Sequence, residues 1–312
     1  MSRARIVSGV VSIAVFVAAG IGYVSWRANA ADGPATPPLD LLRTGTILYV
    51  DSTSTVRQVT RDHPDQVIGS GPSCQRVYAA AGTLGCLRST AVPMSAELKI
   101  YRKNDAEVSL PVWGDPSRVR VSHDGRLVGW TVFRAGDSYM RQGAFSTTAG
   151  ILDLSTGTQY GSLEDFTMFV DGKQYSSPDV NFWGVTFLSD ATFYATMASK
   201  GRTWLMRGEL AGRRLTSVRE NVECPSVSPD RTRIVYKFRT GDHWRLHVLD
   251  LATGADHPLA EAAHIDDQAA WLDDQTIAYS KNDGAGPAVF TVPADGTGSP
   301  HRLLAGSSPA PL

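Results

Sequence analysis

An internal repeat limits the folds open to this chain more than any other feature. The segment Val227-Ser-Pro-Asp-Arg-Thr-Arg-Ile-Val-Tyr236 is matched position by position by Val121-Ser-His-Asp-Gly-Arg-Leu-Val-Gly-Trp130. Phe187–Thr196 matches it loosely, Trp271–Tyr279 matches with one residue fewer, and Val77–Cys86 is a degenerate copy. Each copy has an apolar entry, a polar turn centred on Asp or Gly, and an alternating apolar run, which is the pattern of a β-hairpin. A second turn follows in most units, as Leu154-Ser-Thr-Gly157, Leu210-Ala-Gly212, Leu251-Ala-Thr-Gly254 and Ala294-Asp-Gly296. Strand-like runs flank these turns, so each unit reads as four short strands.

The anchors Val77, Val121, Phe187, Val227 and Trp271 are 44, 66, 40 and 44 residues apart. A four-stranded propeller blade takes ~40–45 residues. The long interval carries extra sequence at Arg134–Thr148 and Gly161–Phe182, expected as loops on one face. Thr46–Val50 and Thr55–Val59 read as strands of a further blade that lacks its innermost strand. The C-terminal residues after Gly306 lie where the next innermost strand would begin. The fold predicted is therefore all-β, a six-bladed propeller over 43–312 closed by its own C-terminus, which hides the sheet edges.

The N-terminus reads as an export signal. Arg3 and Arg5 precede an uncharged run from Ile6 to Trp26, followed by Ala28-Asn29-Ala30 and a Pro-rich linker over 31–42. Residues 1–30 fit a cleaved signal peptide by charge and cleavage pattern, and a retained membrane anchor by the length of the apolar run. Either places the remainder outside the cytoplasm, secreted or held at the outer side of the cytoplasmic membrane, with membrane contact only through this segment. The chain is expected to be a monomer. With 30 Lys and Arg against 31 Asp and Glu, and no basic block, a nucleic-acid partner is not expected.

The pattern Ser228-Pro-Asp…Ile234-Val-Tyr…Leu249-Asp-Leu…Gly254 resembles the repeat of TolB-like six-bladed propellers, and Asp267–Tyr279 and Val292-Pro-Ala-Asp-Gly296 fit it too. The resemblance covers roughly residues 43–312 and implies a scaffold role at the bacterial envelope. It does not extend to an α/β domain ahead of the propeller, for which residues 31–42 leave no room, so a true Tol–Pal role is not implied.

Catalytic signatures are missing. There is no G-x-S-x-G, H-E-x-x-H, Walker or G-x-G-x-x-G sequence, and no cofactor is expected. His243 and His247, four apart on a strand, lie too far apart to share an ion. Asp124, Asp190, Asp230 and the Asp273-Asp274 pair read as turn residues. Cys74 and Cys86 flank one hairpin and suit a disulfide in an oxidising compartment. Cys224, next to Glu223 and Pro225, has no cation near it in sequence to activate it.

Residues just ahead of or opening the innermost strands would ring one channel mouth. They are Arg76, Arg118 or Arg120, Trp183, Glu223, Asp266, Asp267 and Gln268. Mixed charge with an aromatic suits a binding surface. The leading expectation is a non-enzymatic scaffold for an envelope or secreted protein or peptide. The alternative is a propeller enzyme or a binder of a glycan, metal or other small ligand in the central channel.

Overall fold

The computed structural model describes residues 36–93, 95–102, 105–134 and 146–312. Residues 1–30, expected from the sequence to direct export, and most of the 134–148 insertion lie outside them. The chain divides into Met1–Pro37 and a compact unit, Pro38–Leu312. That unit begins ahead of residue 43, because Leu39 and Leu41 are buried in the core and Pro38 bridges to Ser70.

The compact unit is six antiparallel sheets. Their innermost strands are Ser307–Pro311, Arg76–Ala80, Asp115–Val121, Asn181–Phe187, Glu223–Val227 and Ala270–Asp273, in blades 1 to 6. Each innermost strand touches that of the next blade, and the last touches the first, so the ring is closed. Closure is by the C-terminus: Leu48 pairs with Ala310 and Val50 with Ser307, completing blade 1 around Thr46–Val50, Thr55–Thr60 and Val67–Ser73. The prolines of this strand are tolerated because it is an edge of its sheet, and Pro309 falls where the ladder to Thr46–Val50 is irregular, between Leu48 and Val50.

A blade packs on both faces, so its second strand cannot alternate polar with apolar. Thr192–Ser199 and Leu127–Arg134 are accordingly buried along most of their length, whereas the outer strand Arg214–Glu220 alternates. Six apolar clusters fill the six junctions between blades. Leu127 and Ile151 meet Phe182 and Phe193 between blades 3 and 4, and Val235 meets Trp271 and Ile277 between blades 5 and 6. Full burial of one such aromatic stabilises by about 2–3 kcal/mol. Trp130, Tyr236 and Tyr279, at one repeat position, are all in these cores.

The Gly161–Phe182 insertion is not a loop. Ser162 caps a short 3-10 turn at Leu163–Asp165, and Thr167–Val170 and Lys173–Tyr175 form a hairpin. Thr167–Val170 pairs in parallel with Arg214–Glu220, making blade 4 a six-stranded sheet. Leu163, Phe166 and Met168 are buried against blade 4, which gives the insertion its own core and covers the outermost edge. Among the described residues no helix is long and apolar enough to cross a membrane.

The turn chemistry holds in three blades and shifts in one. Asp124, Asp230 and Asp273 accept from backbone N–H groups two residues on. In blade 4 the Ser189 hydroxyl takes that role in place of Asp190. Asp274 has another job, accepting from Asp230 N–H across the blade 5–6 junction at 2.9 Å.

Candidate functional site at the channel mouths

All innermost strands run the same way, so their first residues share one end of the axis and their last residues the other. At the first end lies a cavity of 570 Å³ lined by Arg118, Trp183, Glu223, Lys237, Trp244 and Asp266, among others. Three expected residues, Trp183, Glu223 and Asp266, thus meet in one place. Glu223 is buried and accepts from the Trp244 indole N–H at 2.9 Å. Lys237, also buried, donates from Nζ to Asp266 Oδ1 at 2.6 Å, and Arg118 lies 3.8 Å from the same oxygen. The Asp266 side chain is nonetheless 63% exposed. Trp244 is contacted by Lys237 and Arg239, 4.7 and 5.0 Å from the ring centre, and His264 lies 5.0 Å away.

Register explains why Lys237 is there. Arg118, Trp183 and Glu223 lie in three innermost strands and pair with Thr131, Thr196 and Lys237 of the strands beside them. Thr131 accepts from Gly184 N–H of the next blade at 3.3 Å, and Thr196 from Cys224 N–H at 2.9 Å. Blade 5 carries a lysine in that position, and it reaches the next blade through a carboxylate. Gly184 has φ +66°, and an added Cβ would stand 2.8 Å from Cys224 Cα, so this close approach requires glycine.

Cys224 is a buried free thiol beside Arg118 and Lys237. Burial opposes the charge on Lys237, but the Cys224 sulfur and the Asp266 carboxylate outweigh it and raise its pKa. The sequence expectation of no nearby cation is therefore overturned: both cations arrive from other strands. Cys74 and Cys86 form a disulfide, with Cα atoms 5.5 Å apart.

The remaining expected residues do not line this cavity. Arg76 Nε donates to Ser117 carbonyl at 2.6 Å, and Asp267 accepts from Ser280 N–H at 2.8 Å. Arg120 and Gln268 are not at the mouth but buried, 7% and 3% exposed. Arg120 reaches from blade 3 to the Gln268 and Ala269 carbonyls ahead of blade 6, at 2.9 and 3.0 Å. The Gln268 amide donates to Val185 and Pro225 carbonyls at 3.3 and 2.7 Å, tying in blades 4 and 5. Sequence position placed both at the rim; the innermost strand of blade 3 instead begins at Asp115, which sets Arg120 near its far end, and Gln268 turns inward ahead of Ala270–Asp273. Lys237, Arg239 and Trp244 were not singled out from the sequence. The available signal was a lysine following the apolar run Ile234-Val-Tyr236 at the repeat position that Thr131 takes in blade 3.

At the opposite end lies a second cavity, of 490 Å³. Its walls include Leu41, Leu42, Ala80, Val121, Phe187 and Trp271, and its polar groups include Arg61, Arg120, His123 and Arg231. Among the described residues no three His, Cys, Asp or Glu side chains gather as a metal site.

No family model matches the sequence, and no curated protein matches it. Solved structures do. TolB from Acinetobacter baumannii superposes with TM-score 0.59 at 15% identity, over 85% of this chain and 66% of that one. A putative TolB from Agrobacterium tumefaciens gives 0.51 at 11% identity, over 84% and 90%. A puromycin-hydrolysing peptidase from Mycobacterium tuberculosis gives 0.54 at 13% identity, over 86% and 44%. The chain thus spans just under two thirds of the Acinetobacter protein and under half of the peptidase. Propellers host unrelated activities, so at these identities the likeness speaks for architecture. The fold of this chain is that of a TolB-like six-bladed β-propeller, closed by its own C-terminal strand.

Proposed function

We propose that this chain is an exported, non-enzymatic scaffold that grips a protein or peptide segment at the mouth lined by Trp183, Lys237, Trp244 and Asp266. The observation that carries this reading is the Asp266 carboxylate, exposed while its partner Lys237 is buried. A buried cation fixes the position of an exposed anion, and two tryptophans beside it offer apolar area with polar edges. Such a mixed, concave patch suits a polypeptide with a basic or hydrogen-bond-donating side chain among apolar ones.

Export is supported by the N-terminal sequence and by the Cys74–Cys86 disulfide, which persists in oxidising compartments. The solved structures named TolB support the scaffold reading by architecture alone.

The test is capture from native envelope extract with the tagged chain, beside Asp266→Arg and Arg239→Glu variants shown folded by circular dichroism. Both substitutions fall on exposed side chains of the mouth. One partner held by the wild type and lost by both variants is the expected result. Equal capture by all three, or by none, would remove the mouth as the binding surface.

A further inference from the structure

Arg120 presents a problem of charge. It is 7% exposed, and among the described residues no carboxylate stands in an ion pair with its guanidinium, although the charge of Asp267 acts on it from farther off. Its terminal nitrogens donate to the Val119, Gln268 and Ala269 carbonyls, and the Tyr78 ring centre lies 4.4 Å away. Its Nε–H is buried without any acceptor. Buried charges in proteins are ordinarily paired.

The same group lines the 490 Å³ cavity at the end of the axis away from Trp183, and no Asp or Glu side chain lines that cavity. Arg61, at the same cavity, also has a buried Nε–H without an acceptor, although its other nitrogens reach Asp273 and the Leu272 carbonyl. His123 and Arg231 add further positive or donor groups. The rest of the wall is apolar, and the volume falls in the range of small-molecule sites. Each of the two guanidinium groups keeps one N–H without an acceptor, the wall is apolar, and the one carboxylate that reaches either group, Asp273 on Arg61, does not line the cavity.

We infer that this second mouth is a binding site for a small amphiphilic carboxylate, its oxyanion taken by Arg120 and Arg61 and its apolar body by Leu41, Leu42, Val121 and Phe187. A guanidinium suits an oxyanion because its N–H groups are fixed in a fork. Free medium-chain acids and the apolar C-terminus of a peptide both carry this chemistry. The site stands apart from the mouth proposed for polypeptide capture, so either reading can fail alone.

The test is titration calorimetry on the intact chain with octanoate, octan-1-ol, acetyl-leucyl-leucine and its amide. At least one acid should bind one-to-one and at least tenfold tighter than its neutral counterpart. The stronger acid identifies the source as a free acid or a peptide terminus. Arg231→Glu should weaken that acid several-fold and leave the neutral ligands unchanged, whereas Leu42→Asp, also at an exposed position, should weaken acid and neutral ligands alike. Arg120→Met should abolish the preference for the acid; should that variant not fold, the two rim variants decide. Equal binding of acid and neutral forms, binding of neither, or indifference to both rim substitutions would overturn the inference.

Discussion

The Ser308 hydroxyl bonds twice to the backbone of Val77, accepting from its N–H and donating to its carbonyl, both at 3.0 Å, across 231 residues of sequence. Ser308 N–H in turn donates to the Ser280 hydroxyl at 3.1 Å. One residue of the closing strand therefore holds blade 1 to blade 2 on one side and to blade 6 on the other. Ser308→Ala removes the two Val77 bonds and should destabilise by about 1–3 kcal/mol, read from denaturant midpoints. Ending the chain at Gly306 should do more, exposing Thr46–Val50 as an apolar edge and giving aggregation in light scattering.

The Ser280–Ser308 contact belongs to a recurring device, with Thr131 to Gly184 and Thr196 to Cys224 at other junctions. Thr196→Val is close in shape but leaves the Cys224 N–H buried without an acceptor. It should cost about 1–3 kcal/mol. Gly184→Ala should cost at least as much, because the new Cβ meets Cys224 Cα in a backbone conformation unfavourable to alanine. Thermal unfolding of both variants beside Thr203→Ser, a conservative change outside these contacts, checks the claim.

The Cys74–Cys86 disulfide closes a short segment, 12 residues in sequence. Replacing both cysteines with alanine should lower stability by ~2–3 kcal/mol through the unfolded chain. A reductant should lower the melting temperature of the wild type and leave the double variant unmoved.

Asp179 ties the insertion to blade 4. It accepts from the Ser177 and Ser199 hydroxyls and from Lys200 N–H, each at 2.6 Å, and these bonds, that of Ser177 foremost, hold its pKa at about 2. The folded value lies below the ordinary 3.8. The ionised form therefore favours folding: the contribution is complete above about pH 4 and is lost as pH falls toward 2. Asp179→Asn should flatten the acid limb of the stability profile and leave its neutral region parallel to the wild type.

The repeat made the architecture legible because blade strands recur at fixed spacing, and the C-terminal closure followed from counting an unpaired strand at Thr46. The insertion was misread as loop because Thr167–Val170 and Lys173–Tyr175 are short and pair outside the repeat. The site was legible only in part. Trp183, Glu223 and Asp266 sit beside one another because they lie in or ahead of the first half of innermost strands, a position that sequence spacing reveals. Lys237 and Trp244 reach the same cavity from second and third strands, whose inward reach depends on side-chain length and cross-strand register. The same cause brought cations to Cys224, whereas Arg120 left the rim because its strand begins at Asp115, ahead of the expected start.

The binding face is tested most directly by site-specific photocrosslinking in native envelopes. A photoreactive residue replaces Arg239 at the Trp244 mouth in one protein and Arg231 at the opposite mouth in another. One discrete protein adduct from position 239, none from 231, and loss of that adduct with Asp266→Arg is the predicted result. Protein adducts from 231 alone, or from neither position, would contradict it.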